Sequence, residues 1–368
     1  MGKNSSPNVY ELAIPHLRGA GHKHAKKLLE AVGSAEAVFS LTAEEMEGLY
    51  GIGEPLAAKI VASMPAAIET AKIIGERLAS QSKIKTLFYL NDDYPMRLRH
   101  CMDAPVLLYY KGQNILNNAR VLSIVGTRRM TRYGATLVKQ TLKQWQHENM
   151  AIVSGLAFGV DITVHRHCLK NNIPTVAVLG SAIDDVRPID NKSVARAMTV
   201  DGMVVSENPP GSKIHKYSYP ARNRVIAGLS DAVIVIESGK KGGALITARI
   251  ANSYNREVFA FPGRSSDAMS KGCNELVKRH EAVLIESASD VLVQLNWQDS
   301  NGPNQTRLFR NLSGDERIVI NLLHFQEETL SMLLIKSSFT LTKLQTVLLN
   351  LELDGIIQKR PGNKYQLT

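Results

Sequence analysis

Val121-Leu122-Ser123-Ile124-Val125-Gly126-Thr127-Arg128-Arg129 is a nearly continuous apolar run that breaks on a glycine and two arginines. Runs of this kind, four or five residues long, read as strands buried on both faces. The same pattern recurs at Met150–Val153, Thr175–Leu179, Met203–Val205, Ala232–Ile236, Val258–Phe261 and Ala282–Ile285, with amphipathic helical stretches between. That alternation predicts an α/β fold, a doubly wound parallel sheet over residues 84–297. Ligands of such sheets sit beyond the carboxyl ends of the strands, where the connecting loops converge. Ahead of the first run, Leu87–Tyr110 reads as an extended lead-in turning at Tyr94-Pro95 and Ala104-Pro105.

Outward from this centre the pattern changes. Residues 1–83 are helical, and Gly19-Ala20-Gly21 and Gly51-Ile52-Gly53 punctuate them 32 residues apart. Each fits the turn of a helix-hairpin-helix, in which Ala20 and Ile52 pack on the following helix. Such turns present amides to phosphate, but nine basic and nine acidic residues over 1–84 suit an ordinary helical packing module equally well. Residues 298–306 are polar with Gly and Pro, a linker signature. Residues 307–368 hold three helical stretches, then a hairpin turning at Pro361-Gly362-Asn363, the pattern of a winged helix. The stretch Leu341–Leu353 carries Lys343 as its one cation, which favours a protein-docking wing over a duplex-binding one.

The 368 residues carry a net charge of +10, and 44% are hydrophobic, so a sizeable core is available. Residues 85–306 hold 27 basic and 19 acidic residues, which is +8 of the total. A polyanion, if bound, belongs on the middle of the chain. Cys101, Cys168 and Cys273 are unpaired in spacing, which suggests neither a disulfide framework nor a zinc site. With no apolar run approaching 18 residues and no apolar leader, the chain reads as soluble and cytoplasmic, without a membrane partner.

The strand-end loops carry the chemistry. Gly126, Thr127, Arg128 and Arg129 open a helix where amides and a guanidinium fork meet an anion together. Ser154-Gly155 and Gly159 follow the next strand, and the glycines let a ligand or another loop approach closely. Asp161 and His165 share a helix face; with no nucleophile beside them they read as internal anchoring, not as an acid–base pair. Lys213–Arg224 packs cations and aromatics into a loop entering a helix, with Lys216, Tyr217, Arg222, Asn223 and Arg224 as candidate contacts and Tyr219 as a candidate core residue. Cations neutralise phosphates while aromatic faces stack on bases without reading sequence. Lys240, Gly242 and Gly243 form a further glycine loop, and Pro262-Gly263-Arg264 adds a fifth on the same edge. Neither a P-loop nor a G-x-G-x-x-G follows the first strand, so no cofactor is expected, and no metal.

The strings IVGTRR, IVSGLAFGVD, SENPP, YPARNRVIAGLSD, GGALITARIA and FPGR…KGCNEL resemble those of the DprA/Smf family, in family order across roughly 120–295. The resemblance implies an extended Rossmann-like domain that binds single-stranded DNA, forms a homodimer, and helps load the RecA recombinase during natural transformation. Arg128 and Lys216 match its DNA pocket, and Gly159 the glycine that lets the strand pass. Val186-Arg187-Pro188 departs from the family's Tyr-Pro and removes an aromatic at the rim. A dimer surface is expected on Ser287–Leu295, through Val291, Leu292 and Leu295, unless that stripe packs on its own sheet. The rival reading is a nucleoside-monophosphate phosphoribohydrolase, which shares the Rossmann variant. Its Pro-Gly-Gly-x-Gly-Thr-x-x-Glu loop is only half echoed here, since Ala248-Arg249-Ile250 stands where the glutamate should follow.

Overall fold

The computed structural model describes residues 7–49, 51–297, 313–323, 328–353, 356–360 and 364–367. It forms two compact units, Met1–Leu295 and Asn296–Thr368.

The first unit opens with five helices, α1 (Val9–Ala13), α2 (His22–Val32), α3 (Ala35–Ser40), α4 (Ala43–Glu47) and α5 (Glu54–Ser80). Both expected turns are present, leading into α2 and α5, with Gly19 and Gly51 in left-handed backbone and Ala20 and Ile52 buried.

Nine strands follow: β1 (Lys85–Phe88), β2 (Leu107–Gly112), β3 (Val121–Val125), β4 (Ala151–Ser154), β5 (Thr175–Leu179), β6 (Met203–Ser206), β7 (Ala232–Val235), β8 (Glu257–Ala260) and β9 (Val283–Leu284). They make one sheet in the order β1-β2-β6-β5-β4-β3-β7-β8-β9. Every residue of β3 to β7 is buried, as runs covered on both faces require. From β3 the chain winds one way to β6, then crosses over and winds the other way from β7 to β9, all in parallel. The crevice between the carboxyl ends of β3 and β7 is thus the topological switch point.

The expected lead-in is instead two strands and a short helix, α6 (Met96–Arg99). Leu107–Tyr110 is as apolar and as buried as the later strands, and β2 pairs antiparallel with both β1 and β6. The prolines at 95 and 105 lie between β1 and β2 and interrupt neither. Helices α7 (Arg132–Gln144), α8 (Val160–Lys170), α9 (Lys192–Met198), α10 (Ser218–Gly228), α11 (Gly243–Ser253), α12 (Lys271–Lys278) and α13 (Ala288–Gln294) flank the sheet.

One hydrophobic core runs from Leu12 in α1 to Leu276 in α12, across position 84. Polar ties reinforce it. Lys26 Nζ donates to the carbonyl of Arg99 at 2.9 Å, Tyr89 Oη to Glu30 at 2.6 Å, and Arg77 to the carbonyl of Pro210 at 2.9 Å. The five helices and the sheet are therefore one packing unit.

The second unit has α14 (Gly314–Leu323), α15 (Leu330–Ser337) and α16 (Leu341–Leu353). Its short strands β10 (Glu328–Thr329), β11 (Ile357–Arg360) and β12 (Lys364–Leu367) pair antiparallel in the order β10-β12-β11. Val319, Leu333, Leu344, Leu351, Ile357 and Tyr365 fill its core. Three helices precede the β11–β12 pair, and β10, which the sequence reading lacks, lies between α14 and α15. The linker 298–306 and the turn Pro361-Gly362-Asn363 lie outside the described residues.

Candidate nucleic-acid interface

A groove of about 540 Å³ lies at the switch point. Gly126, Thr127, Arg128 and Arg129 from the end of β3 form one wall, and Lys241, Gly242 and Gly243 from the loop after β7 form the other. Lys216, Tyr219, Arg222 and Asn223 close it from the entry and first turns of α10.

The first wall is held by its neighbours. Thr127 donates its backbone N–H to the Glu237 carbonyl at 2.8 Å and accepts from the Val160 N–H at 3.2 Å. Thr131 caps α7 and spends the buried Glu237 carboxylate, which accepts its backbone N–H at 2.9 Å and its hydroxyl at 2.5 Å. Arg128, exposed, has its guanidinium 5.6 Å from the centre of the Tyr219 ring, a separation suited to cation–π attraction. Tyr219 is half-buried and lines the groove, so the residue expected in the core serves as its inner wall.

Two glycines work between loops more than toward a ligand. Gly159 has φ +77°, and a Cβ there would strike the Thr127 carbonyl, so the loops after β3 and β4 touch backbone to backbone. Gly155 likewise leaves room for Arg222, whose Nη1 donates to the carbonyls of Gly155 at 2.5 Å and Val178 at 2.9 Å. Gly159 also caps α8, leaving Asp161 inside the first turn, where it accepts from the Ala157 N–H at 3.4 Å. Burial raises the Asp161 carboxyl above its ordinary value, and the charge of Arg222 opposes that rise. Asp161 and His165 do not pair with each other. His165 is fully buried, with Nδ1 2.8 Å from Thr175 Oγ1, and burial together with Arg222 pushes its ring down to about 3.

Several expected contacts sit elsewhere. Ser154 is buried and donates to the Ile124 carbonyl at 2.6 Å. Arg222 is buried as well, and although it lines the groove its guanidinium is engaged internally. Arg224 is buried and gives both Glu207 oxygens a bond at 2.6 Å. Burial pushes Glu207 up, but the hydrogen bond from His22 and the Arg224 charge outweigh it and hold the carboxyl below its usual range. Tyr217 is 68% exposed and lies outside the groove, with Lys216 Nζ 4.8 Å from its ring centre. Lys240 gives way to Lys241, the residue that directly adjoins Gly242. Pro262-Gly263-Arg264 ends β8 without lining the groove; Pro262 accepts from Tyr133 Oη at 2.7 Å. Arg187 pairs with Asp185 at 2.9 Å.

On the expected dimer surface, Val291 is fully buried within its own unit, while Leu292 and Leu295 are half-buried. The exposed apolar residues there are Val293, with Val283 and Leu284 of the edge strand β9. Among the described residues no cluster of His, Cys, Asp or Glu is fit to hold a metal, and no helix is long and apolar enough to cross a membrane.

Comparison with known proteins places this site in context. The sequence is 39% identical over 215 residues to DNA processing protein DprA of Streptococcus pneumoniae, covering 58% of this chain and 76% of that one. It is 28% identical to protein Smf of Synechocystis across 98% of this chain and 99% of the relative. The X-ray structure of the pneumococcal protein superposes with a TM-score of 0.66 at 32% identity, over 79% of this chain and 99% of that one. DNA processing protein A of Helicobacter pylori, described for its single-stranded DNA binding mode, superposes at 0.53 with 29% identity, over 58% and 96%. A family profile described as DNA recombination-mediator protein A matches residues 85–296, the whole nine-stranded sheet with its helices. With more than half its length matched, and with the glycine–cation loops at the switch point of that sheet, this chain belongs to the DNA recombination-mediator protein A family.

Proposed function

We propose that the groove binds single-stranded DNA through its phosphates, and that the bound protein, as a homodimer in the cytoplasm, delivers the strand to the RecA recombinase. The observation that carries this reading is the charge balance of the groove. Arg128, Arg129, Lys216 and Lys241 face it, while the nearby carboxylates are withdrawn, Glu237 onto Thr131 and Asp161 into the shadow of Arg222. Among the described residues the groove thus presents four cations outside any ion pair and no unengaged carboxylate, which suits a polyanion. Glycine backbone and cations reach phosphates and carry no base-specific pattern of donors and acceptors, so sequence preference is weak. The H. pylori relative, whose binding mode for single strands is described, lends support.

Binding, not hydrolysis, is the proposed activity. The segment after the glycine pair supplies Arg249 where a phosphoribohydrolase needs its glutamate. Incubation with nucleoside monophosphates separates the two readings: no free base is expected, and its release at a protein-dependent rate contradicts the proposal. RecA loading is tested on strands precoated with single-strand-binding protein, where the chain should shorten the lag before RecA filaments form.

A further inference from the structure

A cavity of about 760 Å³ lies between α9 and the β1-β2-β6 side of the sheet. It shares no lining residue with the groove at the switch point. Ile183, Ala195 and Val204, all buried, make its floor apolar, with the half-buried Val186 beside them. Five cations line it from three directions: Lys83 and Lys85 at the start of β1, Lys111 near the end of β2, and Lys192 and Arg196 on α9. Among the described residues none of the five is in an ion pair. The one carboxylate lining the cavity, Asp184, accepts the Gly211 N–H at 3.0 Å and the Gln81 side-chain amide at 3.5 Å.

An empty cavity of this kind is unfavourable for the folded chain. Lys192 and Arg196 stand four residues apart on one helix, where like charges repel. Lys111 is half-buried. Burial lowers its ammonium from the ordinary value; Asp184 opposes that fall, and Lys192 and Lys83 add to it. The three ammoniums therefore lie close enough to feel one another. A half-buried charge among like charges is disfavoured until an anion joins it.

We propose that this cavity binds a nucleoside polyphosphate, with its base on the apolar floor and its phosphates among Lys83, Lys111, Lys192 and Arg196. Two features favour this ligand over other polyanions. Converging cations match charges crowded onto a few adjoining atoms, as in a di- or triphosphate. Peptide carboxylates are a residue or more apart, and a DNA strand carries one charge per nucleotide. The hollow also falls in the size range of small-ligand sites, about 300–1,000 Å³, whose walls are mostly apolar with a few placed charges. The site stands or fails independently of strand binding, since no residue is common to the two hollows.

The test is isothermal titration of the full chain, in magnesium-free buffer, with ATP, inorganic triphosphate and adenosine. ATP should bind once per chain, about tenfold or more tighter than triphosphate, with adenosine weaker still. The double variant Lys192→Ala/Arg196→Ala, exposed on α9, should weaken ATP about tenfold while affinity for a short thymidine oligonucleotide stays within about threefold. Saturation with that oligonucleotide should leave ATP binding in place. No binding at about 1 mM ATP overturns the proposal, and so does displacement of ATP by the oligonucleotide. Triphosphate bound as tightly as ATP overturns it too, and leaves a site for inorganic anions. A peptide alternating Glu and Leu that binds where ATP does not would give the cavity to a protein partner instead. Should the double variant fail to fold, Lys111→Gln replaces it in the same titration, and unchanged ATP affinity there contradicts the proposal.

Discussion

Arg128 and Lys216 face the groove, and neither is bound up in an ion pair with a carboxylate among the described residues. Arg128→Ala and Lys216→Ala should each weaken single-strand binding by about 1–3 kcal/mol, the scale of a charge-assisted hydrogen bond, with the fold intact. Fluorescence anisotropy against a labelled oligonucleotide checks this, and a double variant that binds as wild type moves the DNA path elsewhere. Arg222→Ala differs in kind. It frees the carbonyls of Gly155 and Val178 inside the protein, so stability should fall along with affinity. His165 contributes a pH dependence. Its folded pKa of about 3 lies below the ordinary value of 6.5, so below pH 6.5 the unfolded chain binds the proton and the folded one does not. Stability from this group is therefore complete above 6.5 and lost as pH falls from 6.5 toward 3, at up to about 1.4 kcal/mol per pH unit. His165→Gln should flatten that slope. Urea titrations between pH 4 and 7, followed by fluorescence of the buried Trp145, measure it, and equal slopes in both proteins contradict the assignment.

At the scale of elements, the seven parallel strands were legible because each is an apolar run closed by a loop residue, with ends shifted by only a residue or two. The expected Ala282–Ile285 strand shortens to Val283–Leu284 at the sheet's open edge, where one neighbour supports it. β1 and β2 read only as an extended lead-in: Leu107–Tyr110 is as apolar a run as the later strands, but prolines and a short helix stand between the two, and the antiparallel pairing of β2 with β6 is a long-range contact. The structure brings Arg128, Arg129 and Lys216 to one groove, but the individual aims of the loop cations are not legible in the sequence. Loop sequence does not tell which of two adjacent lysines faces inward, so Lys240 stood for Lys241. Nor does it tell a buried arginine from a free one, so Arg222 and Arg224 stood among the contacts. A boundary at 84 also follows from composition and not from packing, since Leu12, Leu28 and Ile60 share the core of the sheet. A fragment of residues 84–297 should therefore bind hydrophobic dye and melt below a fragment of residues 7–297, which should keep the strand affinity of the full chain. Equal melting by circular dichroism would show that the five helices add nothing to the core.

At the scale of the molecule, one groove with a few cations grips only a short stretch of strand, and two grooves joined in a symmetric dimer raise avidity without new contacts. Val283, Leu284 and Val293 are the exposed apolar residues at the end of the sheet, next to the half-buried Leu292. Val293→Glu should give a folded monomer by light scattering, with weaker binding to long strands and unchanged binding to short ones; a dimer that survives this charge uses another face. The central claim is that phosphates in the switch-point groove account for binding, and a salt titration of single-strand against duplex affinity tests it most directly. The account predicts a single-strand preference and a linear fall of log affinity with log salt, at a slope of roughly −0.7 for each phosphate neutralised, made shallower in the Arg128→Ala/Lys216→Ala double variant. A complex insensitive to salt, or duplex bound as tightly as single strand, would contradict it.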